Sequence, residues 1–155
     1  MAYFSFRFAA VNDLDFISQL ADNVFSVYGN YDEMVADWLL DSGVTTIIVT
    51  EKTDPLGFAM LELKREPRLV PAIGQLLAIA VIPEYQRHGV GMALLTQIET
   101  LAVDHGLGGI QLHTAVDNIP GVSFFRKAGY RVVRSQDSYY PRGQPALLML
   151  KMLGP

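Results

Sequence analysis

The sequence predicts a mixed α/β fold: a central, mostly antiparallel sheet of six to seven strands with about four helices packed on it. Three observations lead there. Strand-like runs of β-branched and aromatic residues alternate with segments of helical apolar spacing along the whole chain. In the first half, "VTTIIVTEK" and "LGFAMLELKRE" are separated by a "TDP" turn, which predicts a hairpin. Around residues 75–114 a strand, a helix and another strand follow in turn, which predicts one parallel pair joined by a crossover.

The elements follow in order. "FSFRF" alternates and predicts a first strand. Asn12 or Asp13 is placed to cap a helix whose apolar face carries Leu14, Ile17, Leu20, Ala21 and Val24. "YDEMVADWLLDSG" predicts a second, short helix ended by Gly43. The hairpin strands come next, and then "AIGQLLAIAVI", the most apolar strand of the chain. Val90, Leu94, Leu95, Ile98, Leu101 and Ala102 recur at helical spacing up to "DHG", where His105 suits a helix C-terminus. "GIQLHTAV" is a further strand. "DNIPGVSFFRKAG" predicts a helix capped by Asp117 or Asn118, with Pro120 tolerated near its start and Gly129 at its end. "YRVVRS" and "ALLMLKML" predict two closing strands.

Composition narrows the function classes. A chain of 155 residues, half of them apolar, suits one domain spanning residues 1–155 with a sizeable core. No apolar run approaches the ~18 residues of a membrane helix. The N-terminus "MAYFSFRFAAVNDLD" lacks the continuous apolar stretch of a signal peptide. A soluble, cytoplasmic protein without a membrane partner is expected. The absence of cysteine removes disulfides, thiolate metal sites and a cysteine acyl-enzyme. With a net charge of −4 and no basic run, nucleic acid is not an expected partner. His88, His105 and His113 show no metal-ligand spacing, so no metal is expected.

"PEYQRHGVGMALL" places Gly89 and Gly91 where a helix begins. A strand, a loop with close glycines and a helix together build an anion site. The first helical N–H groups lack backbone partners, and missing side chains let an oxygen approach them. Arg87 or His88 can add charge-assisted contacts. A P-loop is excluded because no Gly-Lys-Ser/Thr ending is present. A dinucleotide fingerprint needs a third glycine where Leu94 stands. A pyrophosphate loop of the type Gln/Arg-x-x-Gly-x-Gly/Ala is satisfied by Gln86, Gly89 and Gly91, and a plain flexible loop is the remaining alternative.

"AIAVIPEYQRHGVGMALL" resembles the coenzyme A-binding motif of the GNAT superfamily of N-acetyltransferases. "HTAVDNIPGVSFFRKAGYRVV" resembles the later segment of that family, in which Asn is followed by an aromatic pair, Lys and Gly-aromatic. "YYPRGQPALLMLKML" resembles the C-terminal end of N-terminal protein acetyltransferases, including those that acetylate ribosomal-protein termini. The resemblance implies the GNAT fold with a splayed parallel pair, and acetyl-CoA as co-substrate. It implies that backbone groups of Ile79, Ala80 and Val81 hold the pantetheine arm as another strand would. Arg87, His88, Gly89, Val90, Gly91 and Met92 would wrap the pyrophosphate, and Asn118 would contact the coenzyme arm.

Acetyl transfer to an amine needs a neutral amine, a donor for the oxyanion and a route for the thiolate to leave. A free backbone N–H near Ile79 can supply the donor. Without cysteine, direct attack in a ternary complex is the simplest course. His113, mid-strand, is the first candidate for the base, since its ordinary pKa of ~6.5 suits proton removal near neutrality. The resemblance supports it, because some N-terminal acetyltransferases place Glu or His at that site. Glu62 and Glu84 are the alternatives. The acid departs from the family pattern: Phe125 stands where GNAT enzymes commonly have Tyr beside the coenzyme sulfur. The thiolate then leaves unassisted or through water, or Tyr139 or Tyr140 supplies the proton, or the protein binds acyl-CoA without efficient turnover. Ser123 follows Gly121 at nucleophile-elbow spacing, but Phe125 occupies the place of the second glycine.

The expected function is transfer of an acetyl group to a primary amine, on a small molecule or at a peptide or protein N-terminus. Tyr28, Tyr31, Trp38, Tyr139 and Glu62 are the candidate acceptor contacts. A non-catalytic acyl-CoA-binding module, an enzyme using another acyl-CoA, and a homodimer all stay open.

Overall fold

The computed structural model describes residues 3–63 and 72–154. Strand β1 (Phe4–Phe8) leads into helices α1 (Leu14–Phe25) and α2 (Tyr31–Leu39). The hairpin β2 (Val44–Glu51) and β3 (Asp54–Glu62) is followed by β4 (Ile73–Val81) and α3 (Val90–Asp104). Then come β5 (Gly109–Ala115), α4 (Ile119–Lys127), β6 (Arg131–Gln136) and β7 (Ala146–Met152). Single 3-10 turns, Val11–Asp13 and Pro83–Tyr85, precede α1 and follow β4. The order of strands and helices is the expected one.

The strands form one sheet in the order β1-β2-β3-β4-β5-β7-β6. Only β4 and β5 run parallel, and every other neighbouring pair is antiparallel. β7 enters between β5 and β6, leaving β6 as an edge strand. That insertion could not be read from two consecutive strand-like runs.

Helices cover both faces. On one face α3 buries Val90, Leu94, Leu95, Ile98 and Ala102 against Ile47, Val49, Ala59, Leu61, Leu76, Ile110, Leu112 and Met149. On the other, α1 buries Ile17, Leu20 and Ala21 against Ile48, Phe58, Met60, Ala78 and Ala80. β2 and β3 therefore bury side chains in both directions, which is why they are continuously apolar in sequence.

β4 carries a bulge that changes which face its residues serve. Met60 pairs with Ala78 but the next β3 residue, Leu61, pairs with Leu76, so Leu77 has no opposite number. Before the bulge Leu76 points into the α3 core; after it Ala78 and Ala80 point to the α1 side and Ile79 packs toward α3. One extra residue in a strand resets its two-residue alternation and bends it.

Four local expectations change. Asp13 occupies the residue before α1 but makes no side-chain cap there. Its carboxylate accepts from Arg7 Nη1 and Nη2 at 2.8 Å each and from the Ala10 N–H at 2.8 Å. The ion pair outcompetes the cap because it brings two charge-assisted bonds. Helix α2 ends at Leu39, four residues before Gly43, whose N–H instead donates to Asp41 Oδ1 at 2.7 Å in a turn. β3 starts at Asp54, so the hairpin turn is Lys52 and Thr53, with Lys52 at φ 55°. The second hairpin strand stops at Glu62, and the part of that run beyond residue 63 lies outside the described residues.

Candidate active site

The parallel pair β4–β5 closes at only four positions, from Ile73↔Gly109 to Leu76↔Leu112. Residues 77–81 of β4 and 113–115 of β5 run on unpaired with one another, starting where Leu77 bulges. Along that opening the edge of β4 has no strand to satisfy its N–H and C=O groups. Backbone groups in this state need an extended partner or water. Ile79 and Ala80, predicted to hold the pantetheine arm, lie along it. Val81 is already engaged, because its carbonyl accepts from Gln86 Nε2 at 3.0 Å. Gln86, itself exposed, thus ties the loop to the strand end.

The loop that follows has the backbone geometry of an anion cradle. Arg87 has φ 66° and Gly89 has φ 82°, two left-handed residues around His88. Such alternation turns successive N–H groups toward one concavity. A left-handed Arg costs about 1–2 kcal/mol relative to an ordinary conformation, strain of the kind held at binding sites. Gly89 ends the loop, and a Cβ built there meets nothing within 4 Å, so the space over the start of α3 is open. No side chain caps α3, which leaves the N–H groups of Val90, Gly91 and Met92 facing that space. A Cβ on Gly91 would make ordinary contact with the Phe124 ring of α4, 3.4 Å away. Tyr85 steadies the loop from below by donating its hydroxyl to Glu51 Oε1 at 2.7 Å. The open strand edge and this bare helix start fit a pantetheine arm and a pyrophosphate, respectively.

Asn118 caps α4, its Oδ1 accepting from the Gly121 N–H at 3.2 Å. A Cβ on Gly121 would lie 2.4 Å from Asn118 Nδ2, so the glycine makes room for the cap. Phe125 is buried, edge-on to Phe124 (5.1 Å, 74°) and Tyr130 (5.8 Å, 70°). The Tyr130 hydroxyl donates to Glu99 Oε2 at 2.9 Å, which commits that neighbouring hydroxyl elsewhere. Ser123 is exposed on the outside of α4.

A cleft opens beside the diverging strands. Tyr31, Met34 and Trp38 of α2 form one wall; Gln75, Leu76 and Leu77 of β4 with His113 of β5 form the floor. Tyr139 and Tyr140, from the loop between β6 and β7, form the other wall. The structure therefore brings together His113, Tyr31, Tyr139, Tyr140 and Trp38. Tyr28 stands behind them, its ring 4.7 Å from that of Tyr140. Glu62 pairs with Gln75 at the far end of β3 and does not line the cleft, and Glu84 is exposed in the turn after β4.

His113 is the first residue of β5 beyond its pairing with β4, although it still pairs with Leu148 of β7, and Leu77 is its counterpart on β4. Its Nδ1 lies 3.2 Å from Gln75 Nε2 and its Nε2 lies 2.5 Å from Gln136 Oε1. Tyr139 stacks on the imidazole with centroids 4.1 Å apart and planes at 14°. Burial pushes the His113 pKa below its ordinary value; the bond to Gln136 opposes this, and the charge of Arg134 adds to it. Burial pushes the hydroxyls of Tyr139 and Tyr140 up, and that of Tyr31 up to about 12. All three are proton donors at neutral pH. All three residues line the cleft.

Gln75, Gln136, Met34 and Leu77 escaped the sequence reading. Gln75 did carry a signal, as the lone polar side chain in "AIGQLLAIAV". Among the described residues, no three His, Cys, Asp or Glu side chains gather as metal ligands, and no helix is long and apolar enough to cross a membrane.

Known proteins resemble this chain in sequence and in fold. An N-alpha-acetyltransferase of Saccharolobus solfataricus is 26% identical to this chain, the match covering 97% of this chain and 93% of that one. The NAA60 structure of Arabidopsis thaliana in complex with acetyl-CoA superposes with a TM-score of 0.83 at 15% identity, covering 97% of this chain and 99% of that one. The ribosomal-protein-S18-alanine N-acetyltransferase of Escherichia coli superposes with a TM-score of 0.83 at 18% identity, covering 99% and 96%. The two structures establish a shared fold. The model of the acetyltransferase (GNAT) family matches residues 14–130, a span that holds the bulged strand, the bare helix start and the capped α4. The chain therefore belongs to the GNAT family of acetyltransferases, enzymes that take their acetyl group from acetyl-CoA.

Proposed function

We propose that this enzyme transfers the acetyl group of acetyl-CoA to the α-amino group of a peptide or protein N-terminus, by direct attack in a ternary complex. One observation carries the reading: the aromatic cleft and the opening between β4 and β5 share the first residues beyond the β4–β5 pairing, Leu77 and His113. An amine entering the cleft and a thioester lying along β4 would meet there.

In this reading residues 79–81 and the loop from Arg87 to Met92 bind and orient the co-substrate, with Asn118 at the coenzyme arm. A backbone N–H on the free edge near Ile79 donates to the carbonyl oxygen as charge builds on it. The amine nitrogen forms the amide bond while the thioester C–S bond breaks. His113 Nδ1 takes the proton lost by the amine, and the lowered pKa keeps the imidazole neutral for that task. Tyr139 or Tyr140 gives a proton to the departing sulfur, the role Phe125 cannot fill. Tyr31, Trp38 and Tyr28 border the acceptor. No cysteine exists to carry an acyl-enzyme.

The test is release of CoA thiol with a panel of unblocked peptides, amino acids, polyamines and other small amines, with products mapped by mass spectrometry. Acetylation at the peptide α-amine is expected. Acetylation of small amines alone would overturn the acceptor assignment.

A second reading is motivated by Phe125: a module that binds acyl-CoA without turning it over. Steady CoA release with any acceptor excludes it.

A further inference from the structure

We propose that Gln75 is a positioning residue that sets the tautomer and basicity of His113. This rests on the reading of His113 as the base.

Gln111 Nε2 donates to Gln75 Oε1 at 2.8 Å. With its oxygen so engaged, Gln75 turns its NH2 toward His113, 3.2 Å from Nδ1. An amide nitrogen only donates, so Nδ1 is the acceptor and carries the lone pair. The ring proton is on Nε2 and goes to Gln136 Oε1 at 2.5 Å. The chain Gln111–Gln75–His113–Gln136 is consistent in direction from end to end, with His113 neutral.

The backbone explains why these groups meet. Gln75 and Gln111 are opposite one another in the parallel pair, one residue before the pairing ends at Leu76↔Leu112. Their amides close the last rung below the opening. Gln136 arrives from β6, through its pairing with Ala146 of β7.

The arrangement biases the ring. Protonating Nδ1 would put two donors face to face unless the Gln75 amide turned over. Turning it would present NH2 to the NH2 of Gln111, so the bond would survive only if the Gln111 amide turned as well. A hydrogen bond donated to the neutral form disfavours the charged form. The other groups facing the ring are Arg134 and Gln136 of β6, Tyr139 stacked on it, and Tyr31 and Trp38 across the cleft. None is a carboxylate that would favour imidazolium. An incoming amine N–H would replace the Gln75 N–H at Nδ1, so the lone pair stays capped until the acceptor arrives.

Long-range 15N NMR of the imidazole, followed through a pH titration, tests this on the wild type, Gln75→Leu and Gln75→Glu. The wild type is expected to show Nδ1 unprotonated and Nε2 protonated. Gln75→Leu removes the donor and should raise the proton affinity of His113 about three- to tenfold. Gln75→Glu supplies an acceptor at Nδ1, should raise it further, and should move ring proton density to Nδ1. A wild-type proton on Nδ1, or a midpoint unmoved in both variants, overturns the proposal. A packing role alone would not change the tautomer. The pH dependence of kcat/KM, read on the same proteins, separates the two readings. If the NMR midpoint rises but the acid limb stays, Gln75 keeps its positioning role and His113 loses its role as base.

Discussion

Tyr139 lies flat on His113, 4.1 Å between centroids and 14° between planes. The stack covers one face of the imidazole and contributes to the burial that lowers its pKa. Tyr139→Ala uncovers that face, so the imidazole pKa rises toward its ordinary value. The fraction of free base at a pH between the two values falls, and the acid limb of kcat/KM moves to higher pH. Tyr139→Phe keeps the stack and removes only the hydroxyl. If Tyr139 gives the proton to sulfur, Tyr139→Phe lowers kcat about 10²-fold with the acid limb in place. A wild-type kcat in that variant assigns the proton to Tyr140 or to water.

The resemblance to the family sets Phe125 at the position of its common tyrosine, and Phe125→Tyr tests that correspondence. Protonation of the leaving sulfur should then quicken, raising kcat about tenfold where that step limits turnover. The ring sits in an apolar environment against Phe124 and Tyr130. A new hydroxyl there is expected to cost about 1–3 kcal/mol unless it finds a partner. Saturating kinetics and a thermal melt read the two effects separately, and an unchanged kcat would say that sulfur departure is not limiting.

Gly89 and Gly91 should respond differently. At Gly89 a methyl has open space but a left-handed backbone, so Gly89→Ala should lose about 1 kcal/mol of stability. Gly91→Glu sets a carboxylate at the bare start of α3 and should weaken CoA binding at least tenfold, through repulsion and bulk. Titration calorimetry with CoA measures the second effect, and wild-type affinity in Gly91→Glu would contradict the placement of the pyrophosphate.

Asp13 makes a pH-dependent contribution to stability. The bonds from Arg7, and then the Ala10 N–H, hold its carboxyl below the usual carboxylate range, against the opposing effect of burial. A depressed folded pKa means that the stabilisation is present above the unfolded pKa of ~3.9 and is lost as pH falls through the folded value. Arg7 is 45% exposed at its side chain, so solvent screening discounts the pair. Asp13→Asn should cost about 1–2 kcal/mol near pH 7, with the gap to wild type closing as pH falls through the folded value. Urea melts across that range would show it. A gap independent of pH would mean that the loss comes from packing.

The coenzyme half of the site was legible because its signals are local. Glycines at a helix start, a capping Asn118 and a strand that runs into both depend on neighbours within a few residues, and sequence carries such information directly. The acceptor half was legible only in part. His113, Tyr31, Tyr139 and Tyr140 were singled out one by one, yet their meeting depends on β5, α2 and the β6–β7 loop folding around one opening. Glu62 was an alternative candidate; it stands at the end of β3 opposite Gln75, and its side chain is not among those that line the cleft. Gln75, Gln111 and Gln136 looked like ordinary strand residues, since an amide shows its use only when its partners are in place.

The sequence by itself determined the order of seven strands and four helices, the parallel crossover and the bare start of α3. Each follows from periodicity, turn chemistry or chain connectivity. Tertiary structure alone decided that β7 inserts between β5 and β6, and that Leu77 bulges where β4 and β5 part. It alone joined Gln111, Gln75, His113 and Gln136, four side chains from three strands, into one hydrogen-bonded chain. These depend on which strand edges meet and in what register, and register is set by packing both faces of the sheet at once.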